Sequence, residues 1–193
     1  MKAFKGFTEE IKSIMGNGIA EKCTFFPGMT IEEEKSKTGR EGFHCCEYVF
    51  DCMKYYQMNG KNRFFLVEAE GDIDEDANER ISCTRITLIR ELDAKAIALE
   101  GMIYMIEHPQ RGGWECQYPG VQVKRDRAEA NKSGYIAIAR GEEPAVRGEA
   151  GGIAGLVREN RQGEIQNVRM IQITKEQQGC WLGITREGKV IRI

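Results

Sequence analysis

Histidine is scarce in this chain, with His44 and His108 the only two in 193 residues. A Ser–His–Asp or Cys–His centre needs an imidazole set beside its nucleophile, so such chemistry rests on those two positions. Neither has an orienting third group marked in its sequence neighbourhood. The phosphate-cradling patterns are missing too: there is no GxxxxGK[ST], and no GxGxxG after a strand-like run. No apolar stretch approaches the ~20 residues that span a bilayer. The opening MKAFKGFTEEIKSIMG lacks a continuous apolar core and a small-residue cleavage site, so no signal peptide is expected. Cytoplasmic residence is the expectation, and there thiols stay reduced. Seven cysteines, an odd count without a CxxC pair, read as small buried hydrophobes rather than as a disulfide framework.

Net charge is equally thin. Twenty-eight basic against thirty acidic residues leave -2, so no global field favours nucleic acid or an anionic membrane. The KRDR run at Lys124–Arg127 is interrupted by Asp126 and followed by Glu129, which suits a solvated face. The acidic cluster Asp72, Asp74 and Asp76 lacks the glycine and closing glutamate of an EF-hand loop.

What is present is alternation. KAFKGF (Lys2–Phe7) opens as a strand, and Thr8 can cap a short helix over Thr8–Met15. RFFLVEAEG (Arg63–Gly71) and RISCTRITLI (Arg80–Ile89) read as paired strands around an acidic loop at Asp72–Glu79. Asp93 can cap a helix with Ala96, Leu99, Ile103 and Ile106 on one stripe, ending before Pro109. Gly112, Gly113, Pro119 and Gly120 then mark a linker at 109–120 between two domains.

The densest stretch is GFHCCEYVFDCMKYY (Gly42–Tyr56), which gathers a histidine, three cysteines and three tyrosines. Tyr48/Val49, Cys52 and Tyr55/Tyr56 recur at three- and four-residue steps, which predicts an amphipathic helix over Glu47–Tyr56 after a strand or turn at Gly42–Cys45. Zinc would draw on Cys23, His44, Cys45, Cys46 and Cys52. Adjacent Cys45 and Cys46 point apart on a strand, however, and the paired knuckle spacing is missing, so no metal is expected. Two readings of His44 and Tyr55, eleven positions apart, stay open. They are two walls of a pocket for a flat ligand, or Tyr55 is core packing and His44 is exposed.

In SGYIAIARGEEPAVRGEAGGIAG, Gly134, Gly141, Gly148 and Gly155 recur every seven residues. Glycine at that period would destabilise a helix by ~1 kcal/mol per repeat. Short strands joined by glycine turns can stack instead, which predicts a β-roll or β-helix over 121–193. GCWLGITREGKVIRI then closes the chain as a hairpin turning at Glu187-Gly188.

The ordered motifs KAFKGF, GFHCCEYVFDCMKYY, RFFLVEAEGDI, the glycine-periodic tract and GCWLGI resemble a family of uncharacterised phage and prophage proteins over nearly the whole chain. The resemblance implies a phage or mobile-element context. The middle of the N-terminal part also resembles the ADP-ribosyltransferase fold of the poly(ADP-ribose) polymerase type. That likeness implies NAD or a related nucleotide as ligand. His44 and Tyr55 stand where the family has two base-sandwiching tyrosines, Cys52 where it has a serine, and Lys5-Gly6 where it has His-Gly. Glu68, Glu70 and Glu91 do not sit in a recognisable catalytic-glutamate motif. The tract from Gly134 resembles the heads of trimeric adhesins, which implies a homotrimer.

The expected fold is α+β and mostly β. Residues 1–108 form a sheet with two helices, 109–120 a linker, and 121–193 a short roll with a terminal hairpin. Two functions remain in view: a nucleotide-binding module, or a non-enzymatic phage protein that inhibits a host defence protein or assembles as an oligomeric component.

Overall fold

A computed structural model describes residues 1–14, 23–76 and 80–193. The chain is mostly β and divides into two units, Met1–Asp93 and Ala94–Ile193. The division falls before the expected boundary. The helix expected to close the first domain opens the second unit, and 109–120 lies within that unit.

In the first unit, β1 (Lys2–Phe7) pairs antiparallel with β4 (Arg63–Glu75), which pairs with β5 (Ile81–Leu92). The far edge of β5 is shared by β2 (Thr30–Glu32) and β3 (Phe43–Cys45). Phe4 and Cys46 then exchange backbone hydrogen bonds of 2.7 and 2.8 Å, carrying the sheet round towards a closed barrel. Alternation sends Ala3 and Phe7, and Phe65, Val67 and Ala69, into the core. On β5 the inward set is Ile81 and Cys83, then Ile86 and Leu88, a change of parity at a bulge. Gly71 sits opposite with φ 79°, so close to the Thr84 hydroxyl that no Cβ fits there. β4 runs on through Glu75, so the acidic segment up to there is strand rather than loop, and 77–79 lie outside the described residues.

Two expected helices in this unit take other forms. Thr8–Ile14 makes a turn and a bridge, with the Lys12 N–H donating to Thr8 Oγ1 at 3.2 Å; Met15 lies outside the described residues. The Glu47–Tyr56 segment is a 3₁₀ helix over Val49–Lys54. Val49 through Met53 are buried in succession, so no polar face exists to sustain an amphipathic α-helix.

The second unit opens with α1 (Ala94–Glu107), which packs on the strands Ile136–Gly148, Ile153–Glu159 and Ile165–Gln172. Its buried face is Ile97, Ala98, Gly101, Met102 and Met105, while Leu99 and Ile106 of the expected stripe are about half exposed. Gly155 decides the face: a Cβ there would stand 2.8 Å from Met102 Sδ.

β6 (Cys116–Tyr118) pairs antiparallel with β7 (Val121–Ala130); β8 (Ile136–Gly148) and β9 (Ile153–Glu159) follow β7 in parallel. Val121, Ile136 and Ile153 stand side by side. A straight ten-residue strand spans roughly 33 Å, yet only residues 131–135 return the chain from β7 to the start of β8. Each strand must therefore bend back on itself, and β7 does so at Asp126, whose φ is 60°. The tract winds as stacked rungs, with Ala128, Ala130, Ala137, Ala139, Val146 and Ala154 filling its interior. The rung offsets are 15 residues (121 to 136) and 17 (136 to 153), so the seven-residue glycine spacing is not the structural repeat. Gly141 and Gly148 are instead places where Asp126 and Ala130 press too close for a Cβ. β10 (Ile165–Gln172) pairs antiparallel with β9, and β11 (Leu182–Ile184) with β8. β12 (Val190–Arg192) closes the terminal hairpin with β11.

Arginines brought together by this stacking share aromatic partners. Arg125 and Arg140 lie 5.4 and 5.0 Å from the Trp114 ring, and Arg127 and Arg147 lie 5.4 and 4.8 Å from Trp181. Arg140 is buried and bonded to buried Glu159 at 2.5 Å.

Candidate functional site

The β1–β3 seam and the 3₁₀ helix enclose a small cavity in the first unit. Lys5 and Gly6 come from β1, His44 from β3, Cys52 from the 3₁₀ helix, and Tyr55 and Tyr56 from the turn that ends it. All five residues singled out in the sequence, His44, Tyr55, Lys5, Gly6 and Cys52, therefore line one cavity. Its free volume is about 20 Å³, room for one water.

Lys5 follows the alternation of Ala3 and Phe7 and so carries its ammonium inward. Nζ donates to the His44 carbonyl at 2.7 Å and to Ser13 Oγ at 3.4 Å. Desolvation holds its pKa below the ordinary lysine value, and the nearby ionisable groups are the thiols of Cys45, Cys52, Cys83 and Cys46.

His44 is 8% exposed, so it is not the solvent-facing residue of the core-packing reading. Its Nε2 accepts the backbone N–H of Gly39 at 2.8 Å, which fixes a neutral ring with the proton on Nδ1. Burial first, then the charges of Lys5 and Arg80, depress its pKa. Among the described residues Nδ1 has no partner. Gly39 is held in turn by Asp74, which accepts the Thr38 N–H at 2.8 Å, the Thr38 hydroxyl at 2.7 Å and Lys37 Nζ at 2.9 Å. Those bonds, the backbone N–H first, keep the Asp74 carboxyl well below the usual carboxylate range.

Tyr55 is half-buried and ends the 3₁₀ helix. Tyr56, which sequence reasoning passed over, is the more buried ring and lies on the Gly6 backbone; a Cβ on Gly6 would meet Tyr56 Cδ2 at 2.5 Å. Its hydroxyl oxygen accepts the Ile14 N–H at 2.8 Å, and burial raises its pKa. The repeated Tyr-Tyr was the available signal. Gly39 and Asp74 gave none, because they act through a loop distant in sequence.

Two of the buried thiols, Cys45 and Cys52, are held in the protonated form. A hydrogen bond with Cys83, then burial, pushes the Cys45 pKa up. Cys46 and burial do the same to Cys52, whose Sγ donates to the Phe4 carbonyl at 3.3 Å. Among the described residues no three His, Cys, Asp or Glu side chains are placed to share a metal ion. No helix there is long and apolar enough to cross a membrane.

A family model described as a domain of unknown function, DUF7666, matches residues 1–100. The chain belongs to the DUF7666 family. Among curated proteins and among solved structures nothing matches it. The DUF7666 match spans the whole first unit, and so every residue of the cavity.

The second unit carries larger, open clefts. One of about 700 Å³ is lined by Arg125, Arg127 and Arg161 together with Glu142, Glu143 and Glu159, so both signs of charge face it.

Proposed function

We propose that the DUF7666 unit is a ligand-binding module of ADP-ribosyltransferase-like kind. It takes NAD or a related nucleotide by its flat base and acts by binding rather than turnover. The observation that carries this reading is that His44 and Tyr55 wall one cavity together with Lys5, Gly6 and Cys52. Tyr55 is the movable wall: it is half-buried at the end of a short 3₁₀ helix, and a base enters as its ring swings outward. His44, held by Gly39, is the fixed wall. Lys5 is already committed to the His44 carbonyl, so its ammonium braces the seam where the resembled family has a histidine. The phage or prophage context rests on the sequence resemblance. Calorimetric titration with NAD and ADP-ribose tests the reading. Saturable heat supports it, and no heat at millimolar ligand removes the nucleotide.

A second reading has its own observation. β12 is a sheet edge carrying Ile191, and Ile193 follows it; the two are 43% and 60% exposed. An open edge with apolar side chains favours association. The protein would then act through its surface as a homo-oligomer, a trimer by its likeness to adhesin heads, or as a phage-encoded inhibitor of a host protein. Mass measurement in solution separates the forms, since a strict monomer removes the assembly argument.

A further inference from the structure

The stacked tract of the second unit holds another cleft, which shares no residue with the charged one. It starts at the turn between β6 and β7. Tyr118 pairs with Val121, so Pro119 and Gly120 are the two central residues, and Gly120 has φ 86°. Pro followed by Gly suits a type II turn, whose second central residue needs positive φ. The Gly120 carbonyl accepts the Ile136 N–H at 2.9 Å, which ties the turn to the start of β8. Tyr135, just before β8, ends a turn of its own, its N–H donating to the Lys132 carbonyl at 3.2 Å. Both tyrosines are half-buried, and they line a cleft of about 360 Å³ with Gln117, Gln122, Glu129 and Asn131. That volume lies within the ~300–1,000 Å³ usual for small-molecule sites.

The polar side chains on this wall are mostly amides. Gln122 Oε1 accepts the Glu129 N–H at 2.7 Å, which leaves the Gln122 amide nitrogen to donate. Gln117 and Asn131 are exposed, and each amide can both donate and accept. Glu129 Oε1 takes the Arg147 guanidinium at 2.8 Å, and its second oxygen is left to accept. Among the described residues that line the cleft none is Lys or Arg, and Glu129 is the one charge. An anionic ligand would find no cation on the wall and would meet a carboxylate. An extended peptide adding to β7 would need the Glu129 N–H, which Gln122 already holds. Hydroxyl groups donate and accept at once, as this wall does.

We propose that this cleft binds a neutral saccharide. Tyr118 is the platform, because the C–H bonds of a sugar ring carry slight positive charge and settle on the negative face of an aromatic ring. Tyr135 is the second wall. Lys132, exposed and with Nζ 5.7 Å from the Tyr135 ring centroid, moves aside as the sugar enters. The three amides and Glu129 divide the hydroxyls between them. The site lies beyond the DUF7666 match and is independent of the nucleotide reading.

Saturation-transfer measurement on the full chain tests the proposal. The neutral probes are the methyl glycosides of glucose, galactose and N-acetylglucosamine; the anionic ones are glucuronic acid and N-acetylneuraminic acid. The expected result is saturable transfer to at least one neutral glycoside at millimolar concentration, strongest at the C–H protons of one ring face. Both anions should bind about tenfold more weakly or not at all. Tyr118→Ala should weaken the bound glycoside by about tenfold. Asn131→Ala changes only an exposed side chain, so it reads the site even if the tyrosine variant fails to fold. It should weaken binding about two- to tenfold, the value of one hydrogen bond. Glu142→Ala, in the charged cleft, should leave the affinity unchanged. No transfer to any neutral glycoside at tens of millimolar, affinity unmoved by Asn131→Ala, or tighter binding of an anionic probe would overturn the proposal. Displacement of the glycoside by adenosine would overturn it too, since the cleft would then be one for a flat base.

Discussion

The backbone N–H of Gly39 donates to Nε2 of His44 at 2.8 Å, and this bond sets which ring nitrogen holds the proton. Because the folded state keeps the ring neutral and lowers its pKa, the unfolded chain takes up this proton first as pH falls. The contribution is therefore intact above about 6.5, the unfolded value, and is lost as pH drops through the lower folded value. Urea midpoints for wild type and His44→Gln between pH 7.5 and 5 check this: the difference between the two curves should shrink as pH falls. A constant difference would mean that His44 titrates alike in the folded and unfolded chain. Asp74 follows the same sign in a more acidic window, below its unfolded value.

Lys5 has the opposite chemistry but the same slope. Its folded pKa is depressed by burial, so between that value and about 10.5 the unfolded chain holds more protons and stability rises with pH. Lys5→Met removes the buried charge and keeps the volume. At neutral pH the variant should match wild type or exceed it by up to about 3 kcal/mol. That advantage should narrow towards pH 10, as read by denaturant titration at both pH values.

Gly6→Ala tests the packing of the cavity wall. The new methyl would meet the Tyr56 ring at 2.5 Å and force it off the β1 backbone. A loss of about 1–3 kcal/mol is expected from overpacking, together with altered near-ultraviolet circular dichroism of the tyrosines. An unchanged melting curve would place Tyr56 elsewhere.

In the second unit, Glu159→Ala leaves the buried Arg140 guanidinium without its carboxylate. The expected cost is about 3–5 kcal/mol, larger than the cost for the exposed pair Arg161–Glu142, where Glu142→Ala should change stability by less than about 1 kcal/mol. Thermal melts of the two variants make the comparison.

How much of this could be read from the chain differs from element to element. β1 was legible to the residue because Ala3, Lys5 and Phe7 alternate with Lys2, Phe4 and Gly6 and no bulge interrupts them. The α1 stripe was misplaced because its contact face is set by close approach to Gly155, which periodicity of large side chains does not register. The glycine heptad pointed to stacking, but its period was incidental. The true offsets come from bends at Asp126 and the return loops, which no composition rule encodes. At the cavity, the eleven-residue spacing of His44 and Tyr55 was visible, whereas the loop that orients His44 is fixed by Asp74 from across the sheet. The two strands of the β4–β5 pair were visible as alternation, while the bulge at Gly71 that curls them was not.

The central claim is that His44 and Tyr55 hold a flat base. Saturation-transfer measurement on NAD in the presence of the protein tests it most directly. The account predicts strongest transfer to protons of one base, weaker transfer to the ribose protons, and loss of the signal in a folded Tyr55→Ala variant. No transfer, or equal transfer to the Tyr55→Ala protein, would contradict it.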